Sequence, residues 1–331
     1  MADGGQDRLI DAFQRPIRYL RVSVTDHCNL NCRYCQPDRL IPKLPHDEVL
    51  SYEEILRVAA VGIGLGIKKI RITGGEPLVR RGIFAFLAQL GRLPGLAELC
   101  LTTNGVVLSR HLDALWQAGI RRLNISLDTL DRRKFHHITG VDAWERVWEA
   151  LLAAQRAGFA PIKINVVALS GINDDEFGAL ARLSLDFPFH IRFIEYMPIG
   201  CNDLVKGRAP LLTPQIMAAL APLGPLEPVP GSALDGPARR FHFPGAPGEV
   251  GFISPISHHF CAACNRLRLT ASGALRPCLL SDHQIDIKTA LRRGADDAAL
   301  VALFGQAAGF KGAGHHLADG PVNAQMSAIG G

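Results

Sequence analysis

The amino-acid sequence predicts an α/β fold: an incomplete (βα)6 barrel of the TIM type with a C-terminal extension of small antiparallel strands and helices. In the first 200 residues, short β-like runs alternate with amphipathic helical stretches, which is typical of βαβ units and a parallel sheet. Each predicted strand has one apolar and one polar face, whereas a parallel sheet covered by helices on both sides is apolar on both. A barrel opened to fewer strands, with its polar face around a wide cavity, accounts for both observations.

The predicted barrel consists of six strands and five helices. The strands are expected at residues 18–25, 68–73, 97–103, 121–127, 161–168 and 189–195. The helices are expected at residues 51–65, 82–92, 108–117, 142–157 and 173–184. Ser51, followed by Glu54 three residues later, is the capping-box signature of a helix start and supports the first of these helices.

A different region is predicted after about residue 200, where prolines and glycines become frequent. It is expected to contain a helix at 214–221, strands at 226–230, 239–243 and 249–253, and one or two helices within 285–306. The tail from Gly312 to Gly331 has no pattern that places an element. We therefore expect two units, a barrel domain at residues 1–200 and a C-terminal region at residues 201–331.

Composition limits the class of protein. The chain has 331 residues, of which 48% are hydrophobic and 20% charged, as in an ordinary globular protein. The modest net charge of +5 argues against a dedicated nucleic-acid binder and leaves room for an anionic small substrate. Eight cysteines are few for a disulfide-stapled secreted protein, and the first residues contain no apolar signal core. No apolar run reaches the roughly 20 residues of a membrane span, so we expect a cytoplasmic protein that binds no membrane.

The polar faces of the strands indicate what the cavity binds. Successive strand residues point to opposite sides, so every second residue shares a face. The polar faces of four strands carry cations: Arg21, Lys69, Arg71, Lys163 and Arg192. Strand-end cations in solvent would explain any one of them, but the repetition across strands favours a cavity that holds several anionic groups.

Three cysteines, Cys28, Cys32 and Cys35, lie in one loop directly after the first strand. Cysteine thiolates are the usual ligands of iron–sulfur clusters, and a four-iron cluster held by three of them leaves one iron open. A structural zinc site is the alternative, with His27 as its fourth ligand. In either case the loop is a predicted metal site.

A second set of three cysteines lies near the end of the chain, at Cys261, Cys264 and Cys278. Its spacing is compatible with a second three-thiolate cluster or with zinc, which would be completed by His258, His259 or His283. Arg266 and Arg268 lie two apart in a strand-like run beside this set, so both guanidinium groups share a face suited to phosphate or carboxylate.

The first cysteine loop, together with the Gly74-Gly75-Glu76-Pro77 turn after the second strand, resembles the radical S-adenosylmethionine superfamily. The resemblance implies that the three thiolates hold a [4Fe-4S] cluster, whose open iron is chelated by the amine and carboxylate of S-adenosylmethionine. One electron then cleaves this cofactor to a 5′-deoxyadenosyl radical. The resemblance also implies cofactor contacts at Tyr34, Gly75, Ser126 and Met197.

Four features together resemble the family of GTP cyclases that begins molybdenum cofactor biosynthesis. These are both cysteine sets, the Cys-Asn-Arg-Leu-Arg-Leu segment from Cys264, the segment from Arg192 to Met197, and the terminal Gly330-Gly331. The resemblance implies a second [4Fe-4S] cluster in the C-terminal region, whose open iron meets the guanine of GTP. It places GTP contacts at Arg21, Lys69, Arg71, Thr102, Lys163, Arg192, Arg266 and Arg268. It also implies that the double glycine enters the active site.

The reaction that the resemblance implies is a radical rearrangement by a lyase. The adenosyl radical abstracts hydrogen from ribose C3′ of GTP, the carbon radical attacks guanine C8, and reduction with protonation gives 3′,8-cyclo-7,8-dihydro-GTP. A reductant protein is required, a homodimer is one oligomeric state compatible with the sequence, which does not decide it, and no residue is assigned as an acid or base. The alternatives are a peptide-modifying radical enzyme with an auxiliary cluster, and a metal-stabilised binding or electron-transfer protein. Cys100 is expected as a buried strand thiol, and Cys201 has no assigned role.

Overall fold

The first half of the chain alternates six parallel strands with helices, as predicted. The computed structural model describes residues 9–35, 42–199, 204–205, 207–231, 235–314, 322 and 326–330. The strands are β1 (Tyr19–Ser23), β2 (Lys69–Thr73), β3 (Glu98–Thr103), β4 (Arg122–Ser126), β5 (Ile162–Ala168) and β6 (Phe189–Glu195). The helices are α1 (Tyr52–Gly64), α2 (Ile83–Leu90), α3 (Leu112–Gln117), α4 (Arg132–Thr139), α5 (Trp144–Arg156) and α6 (Phe177–Asp186). Short 3-10 helices lie at His46–Glu48, Pro77–Val79, Leu108–His111 and Asp174–Glu176.

The five predicted helices of this half are confirmed, and one helix was not expected. The capping box at the start of α1 is formed, because Glu54 N donates to Ser51 Oγ at 3.1 Å and Ser51 N donates to Glu54 Oε2 at 2.7 Å. The unexpected helix is α4, which begins after Asp131, whose side chain accepts hydrogen bonds from two backbone N–H groups, and ends at Gly140 in the left-handed conformation. Both residues are standard helix-boundary signals.

The second half contributes smaller elements. The helices are α7 (Thr213–Leu220), α8 (Lys288–Arg292), α9 (Asp297–Gly309) and α10 (Met326–Ile329), with 3-10 turns at Ala221–Leu223 and Cys261–Ala263. The strands are β7 (Glu227–Pro228), β8 (Arg239–His242), β9 (Glu249–Ile253), β10 (Arg266–Leu269), β11 (Ala274–Arg276) and β12 (Ile285–Asp286). The prediction of helix from residue 285 was wrong at its start, because Ile285 and Asp286 pair with β11 instead. The tail, which had no sequence pattern, contains α10.

All the strands belong to one open sheet with the order β12-β11-β10-β1-β2-β3-β4-β5-β6-β9-β8-β7. The strands from β1 to β6 are parallel neighbours, which confirms the incomplete barrel. The C-terminal extension adds β10 parallel to β1 and β9 parallel to β6, so that both exposed edges of the barrel gain hydrogen-bonding partners. Antiparallel strands then complete each end of the sheet.

The two faces of the sheet differ as the strand patterns predict. The apolar faces form the core beneath the helices, where Leu20, Val22, Ile70 and Ile125 are fully buried. The polar faces turn to the barrel interior. The division of the chain at residue 200 stays a prediction. Within the described ranges, no helix has both the length and the apolar character that crossing a lipid bilayer requires.

Candidate active site

Strand register brings the predicted cations together in the barrel interior. Arg21 of β1 aligns with Arg71 of β2 on one side and with Arg268 of β10 on the other. Two residues earlier along the same strands, a second row contains Arg266, Tyr19 and Lys69. Aligned residues of neighbouring parallel strands point the same way, so these side chains form two adjacent rows on one face.

A cavity of about 320 Å³ lies in this interior. All six cysteines of the two predicted sets line it. So do the four predicted cofactor contacts, Tyr34, Gly75, Ser126 and Met197. Six of the eight predicted GTP contacts also line it: Arg21, Arg71, Thr102, Arg192, Arg266 and Arg268. The structure therefore gathers residues from both ends of the chain around one volume, and that volume is of a size suited to a small molecule.

The remaining two predicted GTP contacts, Lys69 and Lys163, are buried but do not line the cavity. The Lys69 ammonium lies 3.0 Å from Glu98 Oε1, so it is held by a carboxylate behind the cavity wall. Burial lowers the pKa of Lys163 to about 7, and repulsion from Arg192 and Arg71 contributes to this shift. Contact of these two side chains with a substrate stays a prediction.

The buried arginines repel one another. Burial lowers the pKa of Arg192 to about 10, with Arg71 adding to the effect. Burial also lowers the pKa of Arg268 well below its ordinary value, and the charges of Arg21 and Arg266 lower it further. A polyanion in the cavity would relieve this repulsion, because each guanidinium would gain an opposite charge nearby.

Tyr19 belongs to this cationic group, although the sequence interpretation did not single it out. Arg71 Nε donates to its phenol oxygen at 2.5 Å, and Lys69 Nζ lies 5.3 Å from its ring centroid. Burial alone would raise the pKa of Tyr19, but the charges of Arg71 and Arg21 outweigh it and lower the pKa. The period-two pattern that selects Arg21 also selects Tyr19, so strand alternation was the signal that could have found it.

The first cysteine loop is held by the unexpected helix α4. Asn31 N donates to the Thr139 carbonyl at 2.8 Å, and Arg33 N donates to the Ile138 carbonyl at 2.9 Å. Both acceptors lie in the last turn of α4, where carbonyls have no partner within the helix. The helix end therefore fixes the backbone on both sides of Cys32.

The glycine turn braces the same loop. Gly75 N donates to the Thr25 carbonyl at 2.7 Å, and a Cβ on Gly75 would lie 2.2 Å from the His27 carbonyl oxygen, so only glycine fits. The buried Glu76 carboxylate accepts hydrogen bonds from Leu78 N at 3.0 Å and Asn104 N at 2.7 Å. Burial raises the pKa of Glu76 to about 7. Glycine is therefore required at this turn because the backbone of the cysteine loop lies too close for a side chain. The Glu76 carboxylate holds the backbone of Asn104, which directly follows β3.

Two side-chain contacts join this anchored region to the cysteine loop. Asn104 Nδ2 donates to Asn29 Oδ1 at 2.7 Å and lies 3.6 Å from Cys28 Sγ. Tyr34 Oη donates to Asp128 Oδ2 at 2.7 Å, and burial raises the pKa of Asp128 to about 6. These bonds connect the loop to the ends of β3 and β4 and fix the direction of its polar side chains.

The second cysteine set lies around the start of β10. Burial would raise the pKa of Cys264, but the charges of Arg266 and Lys311 lower it to about 6. Lys311 Nζ donates to Cys264 Sγ at 3.2 Å, and Leu280 N donates to Cys278 Sγ at 3.4 Å. The sulfur of Cys264 therefore lies in a positively charged setting that favours the thiolate, which is the form that binds metals.

The donor sets, three thiols each, fit iron–sulfur clusters. The six thiols form no disulfide. Across the described ranges, no three histidine, cysteine or carboxylate side chains converge closely enough to hold a single metal ion, which is what zinc needs. Each set supplies three thiols to the lining of one cavity, and in a multi-iron cluster each cysteine binds a different iron. Of the histidines considered as zinc ligands, His27 and His258 are exposed, His259 lines the cavity and His283 stacks on Phe310.

The tail reaches the cationic rows. Arg268 Nη1 donates to the Gly330 carbonyl at 2.7 Å, and Gly330 is buried with a φ of +70°. Gly331 and Cys201 lie outside the described residues. Cys100 is buried in β3, as expected, and its sulfur donates to Glu98 Oε1 at 2.8 Å.

Comparison with known proteins identifies the family. The model of the Radical SAM superfamily matches residues 22–184, and that of Molybdenum Cofactor Synthesis C matches residues 189–317. The chain is 48% identical over 322 residues to the GTP 3′,8-cyclase of Moorella thermoacetica, covering 97% of this chain and 99% of that protein. The chain belongs to the GTP 3′,8-cyclase family. The cyclase of Heliobacterium modesticaldum is 49% identical over 327 residues, which cover 98% of this chain and 100% of that protein.

Solved structures support the fold of this GTP 3′,8-cyclase family member. The structure of Streptococcus suis SuiB bound to S-adenosylmethionine has a TM-score of 0.63 at 14% identity, covering 88% of this chain and 68% of that one. SuiB bound to the precursor peptide SuiA has a TM-score of 0.57 at 15% identity, covering 88% and 67%. At this identity the likeness shows a shared fold only. Membership of the radical SAM superfamily implies a [4Fe-4S] cluster and S-adenosylmethionine as cofactors.

Proposed function

We propose that this protein converts GTP to 3′,8-cyclo-7,8-dihydro-GTP, as a radical S-adenosylmethionine lyase of molybdenum cofactor biosynthesis. The observation that carries the proposal is the single cavity lined by both cysteine sets and by arginines of β1, β2, β6 and β10. A radical source, a nucleotide site and a second metal site can then act on one substrate molecule. The identity to GTP 3′,8-cyclases over nearly the whole chain supports the choice of GTP.

Cys28, Cys32 and Cys35 would hold the cluster of the superfamily. When bound, this cluster and S-adenosylmethionine supply a 5′-deoxyadenosyl radical that removes hydrogen from ribose C3′ of GTP. The protein holds the loop through the end of α4 and through Asn104. It also encloses the reacting groups, which keeps water from the radical and holds the nucleotide in one orientation.

Cys261, Cys264 and Cys278 would hold a second [4Fe-4S] cluster, which would supply an iron free to bind the guanine. The two cationic rows would bind the triphosphate, with Arg21, Arg71, Arg192, Arg266 and Arg268 in reach of the cavity. Within GTP, the C3′ radical forms a bond to guanine C8, and one electron and one proton complete the product. The cations hold the ribose in the position that this bond requires, and no side chain is assigned the proton.

The proposal also includes an electron donor, an oligomeric state and a location. The electron comes from a reductant protein, since the chemistry consumes electrons that the chain does not generate. A homodimer stays a prediction, and sedimentation of the anaerobic protein tests it. A cytoplasmic location also stays a prediction, drawn from the cysteine usage.

Product analysis under anaerobic conditions tests the activity. The reconstituted protein, given GTP, S-adenosylmethionine and dithionite, should form 5′-deoxyadenosine and the cyclic nucleotide together. A peptide-modifying enzyme would bind no GTP, and an electron-transfer protein would form no 5′-deoxyadenosine. Either result would overturn the proposed reaction.

Metal analysis tests the second cluster. The wild-type protein should contain about eight irons and about eight sulfides, as two cubanes held by cysteine require. Replacing Cys261, Cys264 and Cys278 with alanine should lower both counts to about four and leave the first cluster in place. Zinc in the wild-type protein, lost in this variant, would overturn the second cluster.

A further inference from the structure

Lys311 lies directly after α9 and has an unusual position for a lysine. It is 4% exposed, and its ammonium donates three hydrogen bonds inside the protein. The acceptors are Cys264 Sγ at 3.2 Å, the Arg266 carbonyl at 3.1 Å and the Pro277 carbonyl at 3.1 Å. A lysine ammonium has three N–H groups, so each of them has a partner.

The three acceptors belong to the two segments that carry the second cysteine set. Arg266 follows Cys264 by two residues and opens β10, whereas Pro277 directly precedes Cys278. One ammonium therefore joins the backbone beside two of the three predicted ligands. The two segments continue the paired strands of the β10–β11 hairpin, whose register ends at Arg268 and Arg276, and Lys311 bridges them beyond that last pair.

The chain around Lys311 is itself attached to the third cysteine. Arg15 Nη1 donates to the Cys261 carbonyl at 2.5 Å, and Arg15 Nη2 donates to the Gly312 carbonyl at 2.8 Å. Asp11 Oδ2 holds Arg15 Nε at 2.6 Å. The Lys311 segment thus contacts the Cys264 sulfur and the carbonyl before Cys278 directly, and it is joined to the Cys261 carbonyl through Arg15.

Charge adds a second argument. Burying an ammonium is costly unless it is paired, and two of the three acceptors of Lys311 are neutral carbonyls. The sulfur of Cys264 is the acceptor that carries a negative charge once it is a metal-bound thiolate. The lysine therefore gains its counter-charge from the ligand set itself.

We propose that Lys311 is the positioning and charge-balancing residue of the second cluster. It aligns the Cys264 and Cys278 segments, and its N–H···S bond stabilises the more negative, reduced state of the bound cluster, which raises the reduction potential. The proposal rests on the second cluster of the proposed function. A lysine that only packs would leave the reduction potential unchanged.

Potentiometric titration of the full anaerobic holoenzyme, followed by electron paramagnetic resonance, tests the proposal. The wave of the second cluster is identified as the one that Cys278→Ala removes. In Lys311→Met this wave should shift to a more negative potential, while the wave of the first cluster stays in place. Lys311→Arg, which keeps the charge, should recover most of the shift. Lys288→Met removes a half-buried lysine of the same region that pairs with Glu48, and it should change neither wave.

Each outcome decides for or against the role of Lys311. Loss of about half of the iron in Lys311→Met, restored in Lys311→Arg, supports it, because one of two cubanes is then lost without the charge. Full iron with an unshifted wave in Lys311→Met overturns it. If the methionine variant does not fold, Lys311→Gln takes its place, with the same negative shift expected and an unshifted wave contradicting the role. Zinc, or only four irons, in the wild-type protein would instead overturn the second cluster before any titration.

Discussion

Lys163 is the cationic residue of the interior whose charge changes near neutral pH. Burial lowers its pKa to about 7, and the neighbouring Arg192 and Arg71 repel its proton. A bound triphosphate would raise this pKa again, because an anion nearby favours the charged form. Binding therefore takes up a proton, and the affinity for GTP is greatest below the pKa of the free protein and falls as the pH rises through it. This effect needs no direct contact between Lys163 and the nucleotide.

The affinity for GTP should consequently depend on pH. Above about pH 7 it should fall by up to roughly tenfold per unit, since one proton is taken up on binding. Lys163→Arg should flatten the profile, because arginine stays charged. Calorimetry in buffers of different ionisation enthalpy measures both the affinity and the proton uptake. The terminal phosphate of GTP has a pKa of about 6, so it stays ionised above pH 7 and takes up no proton of its own in this range. Equal slopes in the two proteins would contradict the assignment.

Gly330 should be intolerant of any side chain. Its φ is +70°, and a Cβ would lie 2.7 Å from Thr73 Cγ2 and 3.1 Å from Ser23 Cβ. Gly330→Ala should displace the tail from Arg268 and lower turnover by roughly tenfold or more, given overpacking costs of about 1–3 kcal/mol. The iron content of Gly330→Ala should equal that of the wild-type protein. Gly314→Ala is the control, because a Cβ at Gly314 meets open space, and its turnover should equal that of the wild-type protein. Full activity of Gly330→Ala would show that the tail does not shape the site.

Single residues divide into those that the sequence reveals and those that only the fold reveals. The cysteine spacing and the alternation of cations along the strands were visible, and the structure gathers those residues around one cavity. The sequence did not show whether the ammonium groups of Lys69 and Lys163 reach the cavity. Alternation tells which face of a strand a side chain is on, but not how far from the sheet its end lies. Lys311 acts through partners far away in the sequence, so no local pattern marks it.

Helix α4 shows how an element far from the metal ligands in sequence supports them. Its last carbonyls hold Asn31 and Arg33 of the first cysteine loop, and its first turn is capped by Asp131. The helix has only eight residues, so its stability depends on its caps and on its packing. A weakened cap should therefore loosen the loop.

Asp131→Ala should lower the melting temperature by a few degrees, as loss of an N-cap does, and should speed loss of the first cluster to a chelator severalfold. Asp296→Ala is the matched control, because Asp296 caps α9 by accepting from Ala299 N at 2.8 Å. It should lower the melting temperature similarly and leave the rate of iron loss from the first cluster unchanged. Equal rates of iron loss in the two variants would contradict the role of α4.

At the scale of elements, local signals predicted the barrel and long-range pairing decided the rest. The six barrel strands follow from alternation, since each has one apolar face that packs in the core and one polar face. Helix α4 was not predicted, although two local signals mark its ends, Asp131 at the N-terminus and Gly140 at the C-terminus. Pairing of β9 and β10 with the barrel edges was not predictable, because strand neighbours depend on which edge is open in the folded chain. Pairing with a distant strand also explains why Ile285 and Asp286, predicted as helix, form a strand beside β11.

The molecule as a whole places mutually repelling cations in a buried interior. In the free protein, burial and, after it, this repulsion lower the pKa of Arg192 and Arg268, so part of the folding free energy is held back until an anion binds. Substrate binding should therefore stabilise the entire fold, and the triphosphate should contribute most of that effect.

Thermal unfolding with parts of the nucleotide tests this view. Inorganic tripolyphosphate should raise the melting temperature nearly as much as GTP, because it carries the negative charges that the buried cations bind. For a ligand at a hundredfold excess over its Kd, the expected stabilisation is about 2.7 kcal/mol. Guanosine without phosphates should have a much smaller effect, and added salt should weaken the effect of tripolyphosphate. A stabilisation by guanosine that equals that of GTP would place the main binding energy on the base instead.

The most direct test of the account is the fate of the hydrogen on ribose C3′. GTP labelled with deuterium at C3′ is incubated with the anaerobic, reconstituted protein, S-adenosylmethionine and dithionite, and 5′-deoxyadenosine is analysed by mass spectrometry. One cavity that holds both the radical source and the nucleotide predicts one deuterium in each 5′-deoxyadenosine formed with GTP, together with the cyclic product. Unlabelled 5′-deoxyadenosine, formed at the same rate without GTP, would contradict the central claim.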